Sequence, residues 1–430
     1  ATEHVAQAVD PAYHTFDELA AELALRAESY PDITKLATVG QSLEGRPIYA
    51  LKLSDHPELD ERREPAALFF ALTHAREHLS AEMALYIIQF LTEEYGRNAA
   101  ITNLVNQREI WVLPNVNPDG DVYDVASGYY QSWRKNRRPH ADGSFGVDLN
   151  RNYGYRWACC GGSSGVPSSP TYRGAAPFSE PETRVVRDFA AAHPNLTVSI
   201  SFHSYSELVL WPYGYTYEAL PADMDPLDHE AFVALGIRMA HLNGYTPGQS
   251  SHLYLTDGSS DDWLYGELGI FAFTFELYPR TNWPGFYPPG SVIPRETQRN
   301  RAAVEYLLAM ADNPRKAAGE GGDVSPPTIA IVEPAPGAYL VSPVAVAVAA
   351  EDDAGVTLVE LLVNGQTVAM RSEPPYQFAW ESAPAFGPVS LQARAYDAGG
   401  NVGESEPVRV HLSVSRPLRF PLAVQGYSAR

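Results

Sequence analysis

Cysteine is nearly absent: Cys159 and Cys160 are the two in 430 residues, and they are adjacent. So few say little about redox compartment. As neighbours they leave two states open, a strained vicinal disulfide or a pair of free thiols. Adjacent Cα atoms sit about 3.8 Å apart, under the roughly 4.4 Å lower end of ordinary bridges. Positive charge is also scarce, with 31 lysines and arginines against 52 acidic residues and a formal charge of −21. That argues against nucleic acid as the main partner, since no surplus of cations is there to neutralise phosphates. Acidity of this size serves solubility, and it would also favour the approach of cationic substrates. No apolar run reaches bilayer-spanning length, so no transmembrane segment is expected. The first residues, Ala1-Thr2-Glu3-His4, lack a Met, a basic segment and the apolar core of a signal peptide, and are read as the start of a mature protein.

What is present is an ordinary globular composition, 45% hydrophobic. The chain is long enough for one large domain and a second smaller one. Residues 1–13 show no period and read as an arm. Thr15 and Glu18 form a capping box before an apolar-periodic run ended by Pro31. Strand-like runs lie at 36–39, 48–53, 67–72 and 109–113, with a helix over 81–95. A further helix, 179–192, is expected behind a second capping box, Ser179 with Glu182. Runs 197–202 and 270–275 read as fully buried strands, and between them 227–243 has helical spacing up to Gly244. A last helix covers about 295–311. Apolar strands alternating with helices predict an α/β domain over 14–312, with a mixed, mostly parallel sheet flanked by helices.

The composition then changes. Residues 313–327, rich in Gly, Pro, Lys and Glu and without period, read as a linker. Short β-rich runs recur over 328–414, with Asn364-Gly365 as a hairpin signal between two of them. They predict an all-β sandwich of immunoglobulin (Ig) type. Residues 415–430 form a tail without assignment.

Candidate chemistry gathers at strand ends. The stretch Thr73-His-Ala-Arg-Glu-His-Leu-Ser80 turns sharply after the buried run 67–72, at the strand's C-terminal end, where open α/β sheets place ligands. His74 and Glu77 offer a nitrogen and an oxygen ligand three residues apart. With a distant third ligand they would hold Zn²⁺ and leave one coordination position open. A polar loop with solvated side chains is the other reading of so short a pattern. His203 follows run 197–202 at the same sheet edge and is the candidate third ligand, a structural histidine being the alternative. Glu276 ends the dry run 270–275, as a general base of raised pKa or as a solvated strand end.

Further stretches extend the pattern: Asn115-Val-Asn-Pro-Asp-Gly120, Trp133-Arg-Lys135, Asp148-Leu-Asn-Arg-Asn152, Phe202-His-Ser-Tyr205, Pro212-Tyr-Gly-Tyr215, Tyr254, Asp262-Trp263 and Phe273-Thr-Phe-Glu276. In this order the chain resembles the zinc metallocarboxypeptidases of the carboxypeptidase A and B type, most closely the secreted bacterial carboxypeptidase T, over residues 14–312. The resemblance implies that His74, Glu77 and His203 bind zinc. It implies that Glu276 acts as base on the zinc-bound water and Arg134 stabilises the oxyanion. Asn150, Arg151 and Tyr254 would hold the substrate's terminal carboxylate, with Arg76 as an auxiliary cation and Asp148 orienting a zinc-bound histidine. Arginine suits this work because its planar fork grips a carboxylate bidentately. A requirement for a free carboxylate makes an exopeptidase, acting on peptides and proteins. Asp261 aligns with the Asp that B-type relatives carry at the bottom of the pocket for the last side chain, which implies a preference for C-terminal Lys and Arg. Carboxypeptidase T relatives are broader, through a pocket that admits water.

Two departures matter. The segment after Asp312 lies outside the resemblance and is similar instead to bacterial Ig-like modules, as spacer or as adhesive unit towards a cell surface or polymer. The loop 54–64 partly matches a calcium loop, with Asp55, Asp60, Glu61 and Glu64 as oxygen ligands, or is a plain solvated loop given Arg62 and Arg63. The expected protein is thus a secreted bacterial peptidase. Its alternatives are a peptidoglycan-trimming peptidase on the same fold and a non-catalytic binding protein.

Overall fold

The computed structural model describes residues 7–318, 326–352, 355–381, 387–397 and 402–413. The chain divides into two compact units, 1–321 and 322–430.

In the first unit the strands are β1 (Thr34–Gln41), β2 (Pro47–Leu53), β3 (Ala66–Phe70), β4 (Glu109–Leu113), β5 (Leu196–Ser204), β6 (Leu208–Trp211), β7 (Thr246–Gln249) and β8 (Phe271–Leu277). The helices are α1 (Phe16–Ser29), α2 (His78–Glu94), α3 (Ala99–Asn106), α4 (Pro118–Val125), α5 (Pro181–Ala192), α6 (Pro226–Asn243), α7 (Ser260–Leu268) and α8 (Ile293–Ala309). The eight strands make one sheet in the order β1-β2-β4-β3-β5-β8-β6-β7. Its centre, β4-β3-β5-β8, is parallel, and the antiparallel pairs β1/β2, β2/β4 and β6/β8 lie outside it.

The central strands are apolar without alternation because helices cover both faces. Successive side chains of β3 point to opposite sides. Phe69 joins Phe202, Phe273 and Phe275 in a core with α2, α6 and α8, while Leu68 and Phe70 join Trp111 and Ala272 in a second core with α5 and α7. Each such aromatic, fully buried, contributes roughly 1.5–3 kcal/mol. Among the described residues no helix is long and apolar enough to cross a membrane.

Local signals explain several ends. Thr15 and Glu18 form the expected capping box of α1. Gly244 ends α6 in the left-handed region at φ 70°. The second expected capping box does not form. α5 starts at Pro181 with Glu180 as N-cap and no side-chain cap bond. Glu182 accepts instead from the Leu43 backbone N–H at 3.0 Å and from Asn136 Nδ2 at 3.1 Å. In the stretch read as a linker, Pro314–Ala318 is a short helix in which Arg315 Nε donates to Asp228 Oδ1 of α6 at 2.5 Å. The unassigned tail, 415–430, and the arm's first six residues lie outside the described residues.

The second unit is all β, as expected: β9 (Thr328–Glu333), β10 (Tyr339–Leu340), β11 (Val344–Glu351), β12 (Val356–Val363), β13 (Gln366–Arg371), β14 (Tyr376–Trp380), β15 (Gly387–Asp397), β16 (Val402–Glu404) and β17 (Val408–Leu412). One sheet runs β10-β17-β15-β12-β13 with β16 on β15, the other β14-β11-β9. Val346, Phe378, Leu361, Leu391 and Val410 interleave between them in one core. Asn364 and Gly365 make the β12–β13 hairpin turn, both at positive φ, 51° and 85°. That is the conformation for which Asn-Gly is favoured in two-residue hairpins.

Candidate active site

Three parallel strands end at one edge and deliver the chemistry there. β3 leads into the turn with His74 and Glu77; β5 carries His203 and β8 carries Glu276. His203 and Glu276 stand opposite each other in the β5/β8 register. His74, Glu77 and His203 are all buried, and their ligand atoms lie within 4.8 Å of one another. His74 Nδ1 is 2.9 Å from Glu77 Oε1, His203 Nδ1 is 2.9 Å from Glu77 Oε2, and the two Nδ1 atoms are 3.0 Å apart.

The far sides of both rings are held. His74 Nε2 lies 3.2 Å from Asp148 Oδ1, and His203 Nε2 lies 2.9 Å from Ser201 Oγ. Asp148 is fully buried; Arg134 and Arg151 outweigh the burial that would raise it and hold its carboxyl well below the usual range. An ionised Asp148 takes the Nε2–H and leaves Nδ1 of neutral His74 as a lone pair facing inward, as metal-binding histidines are commonly oriented. Two ring nitrogens and a carboxylate then face one point, and a cation there relieves their repulsion. Two imidazoles and one carboxylate are the donor set of a catalytic zinc site.

Around this triangle, Arg134 donates through Nε to Asp148 Oδ2 at 3.0 Å, and its Nη1 is 3.9 Å from Glu77 Oε1. Burial, then the Glu77 carboxylate, pushes Glu276 up to about 7. Arg151 is 1% exposed; its Nε donates to Gly162 O at 3.0 Å and its Nη1 to Asn150 O at 2.6 Å. Asn150 Oδ1 accepts from the Ser260 N–H at 2.9 Å, so its Nδ2 is the donor that remains. The half-exposed Tyr254 ring lies 5.8 Å from the Arg151 guanidinium carbon. Arg76 stacks 3.8 Å over Phe286, and its buried Nε has no hydrogen-bond partner among the described residues.

Asp261, 3% exposed, sits in the first turn of α7, and its Oδ2 accepts from Ser250 Oγ at 2.9 Å. Its neighbour Asp262 is spent on structure, with Oδ1 and Oδ2 accepting from the Gly214 and Tyr215 N–H groups at 2.8 and 3.1 Å. Gly214 leaves room for Thr256 and Ser250, and Thr256 Oγ1 is buried without a partner among the described residues.

The calcium expectation finds no support. Asp60 is drawn away by Arg62 at 2.8 Å, and Asp55 and Glu61 turn to His56 at 3.2 and 3.1 Å. The buried ammonium of Lys52, bonded to Leu59 O and Glu109, supplies positive charge beneath the loop. Among the described residues the loop does not assemble the six to eight converging oxygens that calcium takes. Cys159 and Cys160 are joined as a vicinal disulfide. Sequence reasoning passed over Ser201, Ser250 and Asp257, whose partners become visible once the strands and loops are assembled.

Comparison with known proteins agrees with this geometry. The family model described as zinc carboxypeptidase matches residues 19–303, and the one described as bacterial Ig domain matches 327–393. A zinc carboxypeptidase of Saccharothrix mutabilis subsp. capreolus is 47% identical over 309 residues, 70% of each chain. Carboxypeptidase B2 of Bos taurus is 36% identical, covering 65% of this chain and 66% of that protein. Among solved structures, bovine thrombin-activatable fibrinolysis inhibitor in complex with tick carboxypeptidase inhibitor aligns with a TM-score of 0.60 at 32% identity, covering 70% of this chain and 97% of that one. Carboxypeptidase A from Helicoverpa armigera gives 0.62 at 28% identity, covering 72% and 75%. The chain belongs to the zinc carboxypeptidase family, and its second unit is a bacterial Ig domain.

Proposed function

We propose that the enzyme removes the last residue of peptides and proteins with a free C-terminus, prefers Lys and Arg there, and acts as a secreted bacterial peptidase. His74, Glu77 and His203 would hold the zinc. A bound zinc supplies Lewis acidity, lowering the pKa of water from about 15.7 to about 7. Glu276 takes the proton of the attacking water and returns it to the leaving amine, a role that suits a carboxyl raised to about 7. Arg134, held by Asp148, steadies the negative oxygen that forms at the scissile carbonyl. Asp148 fixes the tautomer of His74. Asn150, Arg151 and Tyr254 grip the terminal carboxylate, and Arg76 adds positive charge at the rim. Asp261 pairs with the basic side chain of the last residue.

The observation that carries the exopeptidase reading is Arg151. It is a buried guanidinium with no carboxylate at ion-pair distance among the described residues. Asp148 and Glu276 feel its charge without touching it, and a buried cation with no direct carboxylate partner is suited to a ligand that brings one. The test is a set of blocked dipeptides offered as free acids and as C-terminal amides. Free acids should be cleaved and amides resisted; equal rates on both would overturn the reading. Secretion is supported by the bacterial Ig domain and the bacterial relative.

A further inference from the structure

We infer that Asp257 is a positioning residue for the carboxylate-binding group, an inference that rests on the reading of Arg151 and Tyr254 above. Asp257 is fully buried, three residues after Tyr254 and just before α7. No cation pairs with it among the described residues. One loop satisfies it instead: Oδ2 accepts from the Cys160 N–H at 3.2 Å and the Gly162 N–H at 2.9 Å, and Oδ1 accepts from Ser163 Oγ.

That same loop reaches the substrate side, because Gly162 O is the acceptor for Arg151 Nε at 3.0 Å. A single loop, 160–163, thus links the Tyr254 segment, through Asp257, to the buried guanidinium. The contact is close. A Cβ on Gly162 would stand 2.4 Å from the Thr256 carbonyl carbon and 2.6 Å from the Asp257 nitrogen.

The remaining bonds fix the other edges of the Tyr254 segment. Thr256 N–H donates to Gly214 O and Tyr153 N–H to Gly258 O, both at 3.0 Å. Gly258, at φ +69°, lies where a Cβ would meet Arg151 O at 2.6 Å. Hydrogen bonds to a carboxylate are about twice as strong as neutral ones, so Asp257 is the firmest tie between loop 160–163 and the Tyr254 segment. Loss of its charge lets Tyr254 and Arg151 drift relative to each other. The reacting atoms, held by β3, β5 and β8, stay in place.

The effect therefore falls on recognition of the carboxylate and leaves the chemical step alone. The experiment measures kcat, KM and competitive inhibition in wild type, Asp257→Asn and Ser163→Ala, the last removing one donor and no charge. The inhibitors are arginine against agmatine, and phenylalanine against phenethylamine, pairs that differ only in the carboxylate. Asp257→Asn should raise KM and the inhibition constant of the amino acid by about tenfold, with kcat within about threefold and the amine unaffected. Ser163→Ala should show the same pattern at smaller amplitude. If amino acid and amine weaken equally, or neither changes, Asp257 only supports the fold and the inference is overturned. A wild type inhibited no better by either amino acid than by its amine would overturn the carboxylate reading itself, and this inference with it.

Discussion

Asp261 offers the sharpest test of specificity. Its carboxylate is 3% exposed and receives one hydroxyl, Ser250 Oγ at 2.9 Å, whereas both oxygens of Asp262 are taken by backbone N–H groups. A C-terminal Arg or Lys would pair with Asp261, while Phe would bury it further without a partner. Truncating one member of such a pair costs roughly 2–5 kcal/mol, and each 1.4 kcal/mol is about tenfold. The lower end applies here, because Ser250 already satisfies part of the charge. Asp261→Ala should therefore reduce the ratio of kcat/KM for C-terminal Arg over C-terminal Phe by about 30- to 100-fold, mostly through the Arg substrate. Asp261→Asn, nearly isosteric, should follow it. The assay is initial-rate hydrolysis of blocked dipeptides differing only in the last residue. An unchanged ratio in both variants would refute the assignment, and Asp261 would then be a first-turn residue of α7 that holds Ser250 and has no part in selection.

Other outcomes follow from the same structure. Glu276→Gln should lower kcat by roughly 10²- to 10³-fold with little change in KM; activity within about threefold of wild type would call for another base. Alkylation of denatured, unreduced protein should label no cysteine, because Cys159 and Cys160 are bridged, and two labels per chain would contradict the bridge. Glu64 is pushed up to about 8 by burial, then by Glu61 and Asp55, so the folded state holds its proton more tightly than the unfolded chain does. The associated stability is fully present below the unfolded value of about 4.3 and is lost as pH rises towards the folded value. Glu64→Gln should leave the melting temperature unchanged near about pH 4 and raise it by about 3 °C or more above about pH 8. Equal shifts at both pH values would show that the carboxyl does not titrate in this way.

Much of the site was legible because its residues sit where short-range patterns end. The apolar runs behind His74, His203 and Glu276 mark buried strands, and their C-terminal ends fall at one edge of a parallel sheet. The strands of the Ig domain were legible for a similar reason: alternation within each run and Asn364-Gly365 between two of them. What escaped depends on partners far along the chain. Glu182 carries the spacing of a capping residue, yet Leu43 and Asn136 hold it. β6 and β7 are four residues each, too short for a period to show; β6 exists because β8 offers it an edge, and β7 because β6 then offers the next. The loop 54–64 carries enough acid for calcium, but Lys52 lies beneath it, on a strand that reads as apolar. Asp257 looks like an ordinary turn residue until loop 160–163 is laid over it.

The central claim is that His74, Glu77 and His203 form a zinc site on which peptidase activity depends. The direct measurement is elemental analysis of the purified chain, paired with hydrolysis of a C-terminal Arg dipeptide before chelation, after it, and after zinc is restored. The expected result is about one zinc per chain, loss of activity with the metal and its return on restoration. Full activity in metal-free protein, or zinc retained by a His74→Ala, His203→Ala double variant, would contradict the account.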